Sequence, residues 1–169
     1  MNKFLLFIAV MAVVISFFMP WISVDAPAVG KVAKILTGKD KATLDTISAY
    51  QVPILANSHE SRFMISVIKI FMPDITDADK KSYFIWFVPI VAIVIFFLND
   101  TLGKIKFFKL IFGLVGLSVF GFGMFKMVTT DLDKLVLKVT IAQGLWITLY
   151  GYLGIGVIGM VDFFKGKKK

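Results

Sequence analysis

The sequence predicts an all-α membrane protein, a bundle of four transmembrane helices with a long outer loop. Of the 169 residues, 58% are hydrophobic and only 18% are charged, and the mean hydropathy is +0.85. A soluble domain is about half apolar and about a quarter charged. The apolar residues are also clustered, which excludes an ordinary soluble enzyme and a disordered chain. The four apolar runs cover residues 4–19, 83–98, 107–125 and 139–164.

These runs define one integral membrane domain that covers residues 1–169. A transmembrane helix needs about 20 mostly apolar residues, and each run extends to that length or close to it. The connecting segments are richer in charged residues and proline. The predicted spans are residues 4–20, 82–98, 106–127 and 138–164, with an outer loop at 21–81, an inner turn at 99–105, an outer loop at 128–137 and a cytoplasmic tail at 165–169.

The first apolar run is compatible with either an uncleaved helix or a signal peptide. It follows Lys3 and ends before Pro20. Its sixteen residues exceed a usual signal-peptide core, and Pro27 disfavours cleavage after Ala26 or Ala28. The sequence therefore favours an uncleaved helix, with cleavage as the alternative.

The distribution of lysine predicts the orientation. The N-terminus, the 99–109 segment, and the tail with the adjacent end of the fourth predicted span carry eight lysines against two aspartates, Asp100 and Asp162, whereas residues 20–82 carry eight basic and seven acidic residues. Positive residues concentrate on the cytoplasmic side of membrane proteins. We therefore expect a multi-pass protein of the plasma (inner) membrane with both termini cytoplasmic. The tail lysines are expected to contact lipid headgroups. They are Lys165, Lys167, Lys168 and Lys169.

The long outer loop contains a predicted amphipathic helix. Asn57 with Glu60 forms a candidate capping box, and the helix would run to about Met72, before Pro73. It is too short to span, so we expect it to lie on the membrane surface or on a partner. The predicted interface consists of Phe63, Met64, Val67, Ile68, Phe71 and Met72.

Stripes of small residues are predicted to mediate helix packing. In lipid, apolar side chains gain little by leaving the acyl chains for each other, so helices associate where small residues let their backbones approach. The first, third and fourth predicted helices each carry such a stripe. The stripes consist of Ala9, Ala12 and Ser16, then Gly113, Gly116 and Gly123, then Thr140, Gly144, Thr148, Gly151 and Gly159.

The sequence contains no convincing constellation for catalysis or for metal binding. His59 is the single histidine and cysteine is absent, whereas a metal site normally needs three or four ligands. The letters Gly154 to Gly159 match a dinucleotide motif, but they lie inside an apolar run without a preceding soluble strand. We therefore predict no catalytic residue, no metal and no cofactor.

The predicted layout is similar to that of claudin-type tetraspan proteins, with four helices and a long first outer loop that starts after Trp21. The loop signature of that family is a tryptophan, then Gly-Leu-Trp, then two cysteines. Here Gly144-Leu145-Trp146 lies in the fourth predicted helix, and there is no cysteine. The chain is therefore not assigned to that family.

These features favour a non-enzymatic accessory, scaffold or assembly subunit. The expected partners are membrane lipids and other membrane proteins or a second copy of the chain, but not nucleic acid. A small transporter or channel component, active as an oligomer, is the alternative. A lipid-directed enzyme is least favoured, because the sequence lacks an evident acid, base or metal site.

Overall fold

The computed structural model describes residues 3–24, 46–57, 82–129 and 139–165. These residues are mostly helical. Three helices among them are long and apolar enough to cross a membrane by length and composition. These three candidate spans are Ser82–Leu102, Lys106–Thr129 and Gln143–Lys165, and they indicate a membrane protein.

The first helix, α1, covers Lys3–Phe18 and has 16 residues. At about 1.5 Å per residue it is about 24 Å long, which is less than the roughly 30 Å of a bilayer core. It ends before the predicted boundary at residue 20 because Pro20 disfavours a helical conformation at Met19. The structure shows three helices of spanning length and one shorter apolar helix, and the four-helix transmembrane bundle stays a prediction.

A three-stranded antiparallel sheet corrects the prediction of an all-α protein. Strand β1 (Pro20–Val24) lies between β2 (Thr46–Ser48) and β3 (Val139–Ile141). Ile22 of β1 is opposite Ile47 on one side and Ile141 on the other. Each strand contains β-branched residues, which favour extended backbone.

The last helix begins later than predicted because β3 precedes it. The fourth span was predicted from residue 138, but the helix begins at Gln143, directly after β3 and Ala142. Val139, Thr140 and Ile141 fit both an apolar helical run and a strand, and pairing with β1 decides between the two. The backbone N–H of Ala142 donates to the carbonyl oxygen of Trp21, 2.9 Å away.

The remaining helices follow in chain order. A short helix, α2, covers Gln51–Ala56, and a 3-10 helix at Ser82–Trp86 leads into α3, Phe87–Leu102. Pro89 lies in the first turn of α3, where its missing N–H costs little. Gly103 separates α3 from α4, Lys106–Thr129, and α5 is Gln143–Lys165.

The chain packs as two compact units. One unit comprises Met1–Ser16, Phe87–Met127 and Trp146–Lys169, and we call it the helical unit. The other comprises Phe17–Trp86 and Val128–Leu145, and we call it the sheet unit. The core of the helical unit contains Leu6, Ala9, Val10, Val13, Ala92, Ile95, Phe112, Tyr152 and Ile155.

The sheet unit has its own core around an aromatic cluster. Phe17 is fully buried, and its ring centroid lies 4.9 Å from that of Trp86 and 6.5 Å from that of Trp21. Phe18 packs on Tyr50 with ring centroids 5.6 Å apart. Ile22, Ile47, Ala49 and Val52 are buried with the cluster. The first predicted outer loop therefore contributes β2 and most of β1 to this unit, and the start of the predicted fourth span contributes β3.

Candidate functional site

Helices α4 and α5 of the helical unit approach each other closely at glycines. A Cβ atom placed on Gly116 would lie 2.5 Å from the backbone nitrogen of Gly156 and 2.7 Å from the carbonyl oxygen of Tyr152. A Cβ atom on Gly159 would lie 2.6 Å from the nitrogen of Gly113. Real Cβ atoms do not approach backbone this closely, so both positions require glycine. Here two backbones are in direct contact, as small-residue stripes allow in membranes.

Helix α1 approaches α5 at a second small-residue contact. A Cβ on Gly151 would lie 2.6 Å from the side chain of Val13 and 3.1 Å from the carbonyl oxygen of Ala9. One turn before Gly151, the hydroxyls of Ser16 and Thr148 are hydrogen-bonded at 2.6 Å. Both side chains are buried, and Ser16 also donates to the carbonyl oxygen of Val13 at 2.9 Å. The packing of α1 on α5 thus combines close backbone approach with a buried polar pair.

Other predicted stripe residues lie in different surroundings. Gly123 faces the side chain of Leu149 rather than another small residue. Ala12 is half-buried. Gly144 belongs to the sheet unit, where an added Cβ would lie 2.5 Å from the carbonyl oxygen of Pro20. These residues therefore do not form a single continuous stripe.

Thr140 requires a correction. It was predicted on the stripe of the fourth helix, but it lies in β3, opposite Ser23. Its hydroxyl donates to the carbonyl oxygen of Ser23, 3.3 Å away. It therefore supports the sheet rather than the packing of helices.

The structure also reveals contacts that the sequence analysis missed. Gly156 lies at the centre of the α4–α5 contact, although it was considered only as part of a nucleotide-like motif. Tyr152 is 1% exposed, and its hydroxyl donates to the carbonyl oxygen of Val88 in α3. Tyr152 and Gly156 are four residues apart and therefore lie on one helix face. This spacing could have indicated that Gly156 lies on a packing face. It could not have indicated the hydrogen bond of Tyr152.

The turn between α3 and α4 is tightly bonded and basic. The backbone N–H of Gly103 donates to the carbonyl oxygen of Asn99 at 3.1 Å, and a Cβ at residue 103 would lie 2.5 Å from the buried Asn99 Oδ1. Asp100 forms an ion pair with Lys3, with 2.7 Å between carboxylate and ammonium. Three more lysines follow in the turn and in the first turn of α4. They are Lys104, Lys106 and Lys109.

Two other predicted sets lie wholly or partly outside the described residues. The outer-loop interface at residues 63–72 is not described, and neither are His59, Glu60 and the tail lysines at 167–169. Lys165 is exposed and is the last residue of α5. Among the residues that the structure describes, no group of three or more histidine, cysteine, aspartate or glutamate side chains could hold a metal ion.

The comparisons with known proteins add no relative. No protein-family model matches the chain, and no curated protein or solved structure matches it. Inference about function therefore rests on the residues and contacts described above.

Proposed function

We propose that the chain is a non-enzymatic scaffold or assembly subunit that presents the sheet unit to partner membrane proteins. The observation that carries this proposal is the position of β1 between β2 and β3. Strands β1 and β2 lie in the connection between α1 and α3, and β3 lies in the connection between α4 and α5. The pairing of β1 with β3 therefore joins these two loops in one sheet. A pair of loops that only connected helices would not need a shared sheet and a shared aromatic core.

Apolar side chains on the sheet unit provide a candidate contact surface. Ile54 on α2 is 61% exposed, whereas its neighbours Val52 and Pro53 are buried. Tyr83 is 55% exposed. Large apolar side chains on a folded surface mark sites of contact with protein or membrane when they are grouped. Ile54 is therefore the most direct position at which to test partner binding.

The core of the helical unit supports a structural role over a transport role. Its buried residues, among those that the structure describes, are apolar or glycine apart from Ser16, Asn99 and Thr148. The buried hydroxyls of Ser16 and Thr148 are bonded to each other, and that of Tyr152 to a backbone carbonyl. Proton and ion relays instead place ionisable groups in the interior of the membrane protein. The hydrogen bonds of Ser16, Thr148 and Tyr152 hold helices together, and a transported solute is not needed to explain them.

The same proposal includes location and orientation. We propose an inner (plasma) membrane protein with both termini in the cytoplasm, as the lysine distribution predicts. The sheet unit would then face outward. This orientation makes any partner of the sheet unit a protein with an outward-facing surface of its own.

The test is cross-linking in intact membranes, followed by purification in mild detergent and mass spectrometry. We expect one or a few membrane proteins to co-purify with the chain in stoichiometric amounts. Ile54→Asp should reduce their recovery by about tenfold or more, because burial of an isoleucine is worth about 1.5–3 kcal/mol. Thr101→Asp adds the same charge to an exposed position in the helical unit and should leave recovery unchanged.

Two outcomes would contradict the proposal. The first is recovery of partners that is equal in wild type and Ile54→Asp. The second is a chain that purifies alone and, in proteoliposomes, conducts an ion or carries a solute. That second result would establish the transporter or channel alternative.

A further inference from the structure

The turn between α3 and α4 concentrates positive charge without compensation. Asp100 is the only acidic residue in the 99–109 segment, and it is already paired with Lys3 at 2.7 Å. Lys104 and Lys106 are exposed, and Lys109 is half-buried. In the part of the chain that the structure describes, none of these three lysines has an ion pair or a hydrogen bond from its side chain. Their charges repel one another and would be stabilised by an anion.

The backbone holds the three lysines in a defined arrangement. Successive hydrogen bonds close the turn, from Ile105 N–H to the carbonyl oxygen of Leu102 at 2.9 Å and from Phe108 N–H to that of Ile105 at 3.2 Å. Lys106 and Lys109 are three positions apart at the start of α4, so they share one face of the helix. The positive end of the α4 dipole adds to their charge.

Apolar side chains flank these charges. Ile105 is 48% exposed and Phe107 is 64% exposed, and they alternate with Lys104 and Lys106 along the chain. Residues at the end of a spanning helix lie where headgroups meet acyl chains. An amphiphile with a negative headgroup therefore matches both the lysines and the neighbouring apolar side chains, whereas a soluble anion matches only the lysines.

We propose that Lys104, Lys106 and Lys109 bind the phosphodiester group of one anionic phospholipid, with its acyl chains against Ile105 and Phe107. This lysine-turn site is separate from the general attraction of the C-terminal tail for a charged membrane. It also does not depend on the scaffold function, because a transporter with the same turn would bind the same lipid.

The experiment uses the full chain, purified in mild detergent, and native mass spectrometry with added phosphatidylglycerol or phosphatidylcholine. We expect wild type to retain phosphatidylglycerol in preference to phosphatidylcholine. The triple variant Lys104→Gln, Lys106→Gln, Lys109→Gln should bind phosphatidylglycerol about tenfold more weakly or worse, since each lysine near anionic lipid is worth about a fivefold factor in affinity. The matched control, Lys167→Gln, Lys168→Gln, Lys169→Gln, removes the same charge and should retain most of the binding.

Three further measurements distinguish binding of a lipid from binding of a free anion, and loss of binding from loss of folding. Inorganic phosphate at millimolar concentration should not displace the lipid, and Phe107→Ser should weaken binding although it changes no charge. Phosphatidylglycerol should also raise the Tm of the wild-type chain more than phosphatidylcholine does, which tests the site even if the triple variant does not fold.

Three results would overturn the inference. Equal losses in the two triple variants would show attraction to net charge alone. Displacement of the lipid by inorganic phosphate would show a site for a soluble anion. Equal effects of the two lipids on the Tm of wild type would show that no selective site exists.

Discussion

The hydroxyl of Tyr152 in α5 donates a hydrogen bond to the carbonyl oxygen of Val88 in α3. Tyr152 and Ala92 are both buried in the core of the helical unit. The first turns of α3 are therefore tied to α5 by one side chain.

Replacement of Tyr152 by phenylalanine tests this bond. We expect Tyr152→Phe to lower the stability of the purified chain by about 0.5–2 kcal/mol, because it removes one buried hydrogen bond. The readout is the Tm in detergent. Tyr150→Phe is the matched control, since Tyr150 is 60% exposed two residues away. Equal changes in Tm for the two variants would show that the hydroxyl of Tyr152 contributes nothing specific.

Two glycines of α4 should respond very differently to added bulk. A Cβ on Gly116 would collide with the backbone of α5, whereas a Cβ on Gly121 would meet nothing within 4 Å. We expect Gly116→Leu to destabilise the chain by about 1–3 kcal/mol or more, since 1–3 kcal/mol is the usual cost of overpacking. Gly121→Leu should leave the Tm almost unchanged. A large loss of Tm with Gly121→Leu and none with Gly116→Leu would contradict this packing, because it would show that the face of α4 with Gly121 contacts α5.

The buried hydroxyl pair of Ser16 and Thr148 is suited to a double-mutant cycle. Ser16→Ala and Thr148→Val should each destabilise the helical unit, and the double variant should lose less than the sum of the two. We expect a coupling energy of about 0.6–1.7 kcal/mol, the range measured for hydrogen bonds between membrane helices. Additive effects within error would show that the two hydroxyls do not interact.

The long helices could be predicted because the bilayer sets a length that few soluble segments satisfy. Glycines such as Gly113 and Gly159 could be placed on packing faces because helical spacing fixes which residues share a face. Spacing does not identify the facing helix, so the contact of Gly116 with Gly156 could not be derived. The hydrogen bond of Tyr152 to Val88 could not be derived either, because an aromatic residue in an apolar run fits a lipid-facing position equally well.

The strands were missed for a different reason. Val139 to Ile141 forms a three-residue strand at the edge of a long apolar run. So short a segment also fits the helical pattern of that run, and the sequence does not distinguish the two. Pro20 lies just beyond the end of α1, although the predicted span extended to residue 20, and β1 is fixed by partners 23 and more residues away. Pairing between distant segments is a property of the folded chain that local periodicity does not contain.

The account depends most on β1 joining β2 to β3, the strand directly before α5, and a disulfide test addresses the contact of β1 with β3 directly. The chain has no native cysteine, so Ser23→Cys and Thr140→Cys can be introduced as a single pair at opposed positions of β1 and β3. Opposed residues of an antiparallel pair have Cβ atoms about 4.5–5.5 Å apart, within reach of a disulfide after small adjustment. The control pair is Ser23→Cys with Gln143→Cys, whose second residue lies in α5.

The measurement is the fraction of chain cross-linked after mild oxidation in intact membranes, read from the mobility of the unreduced protein. The account predicts nearly complete cross-linking of the residue 23 and 140 pair and little in the control pair. Absence of the first cross-link, or stronger cross-linking of the control pair, would show that residue 140 is not paired with β1. The sheet that unites the two loops would then not exist in the membrane.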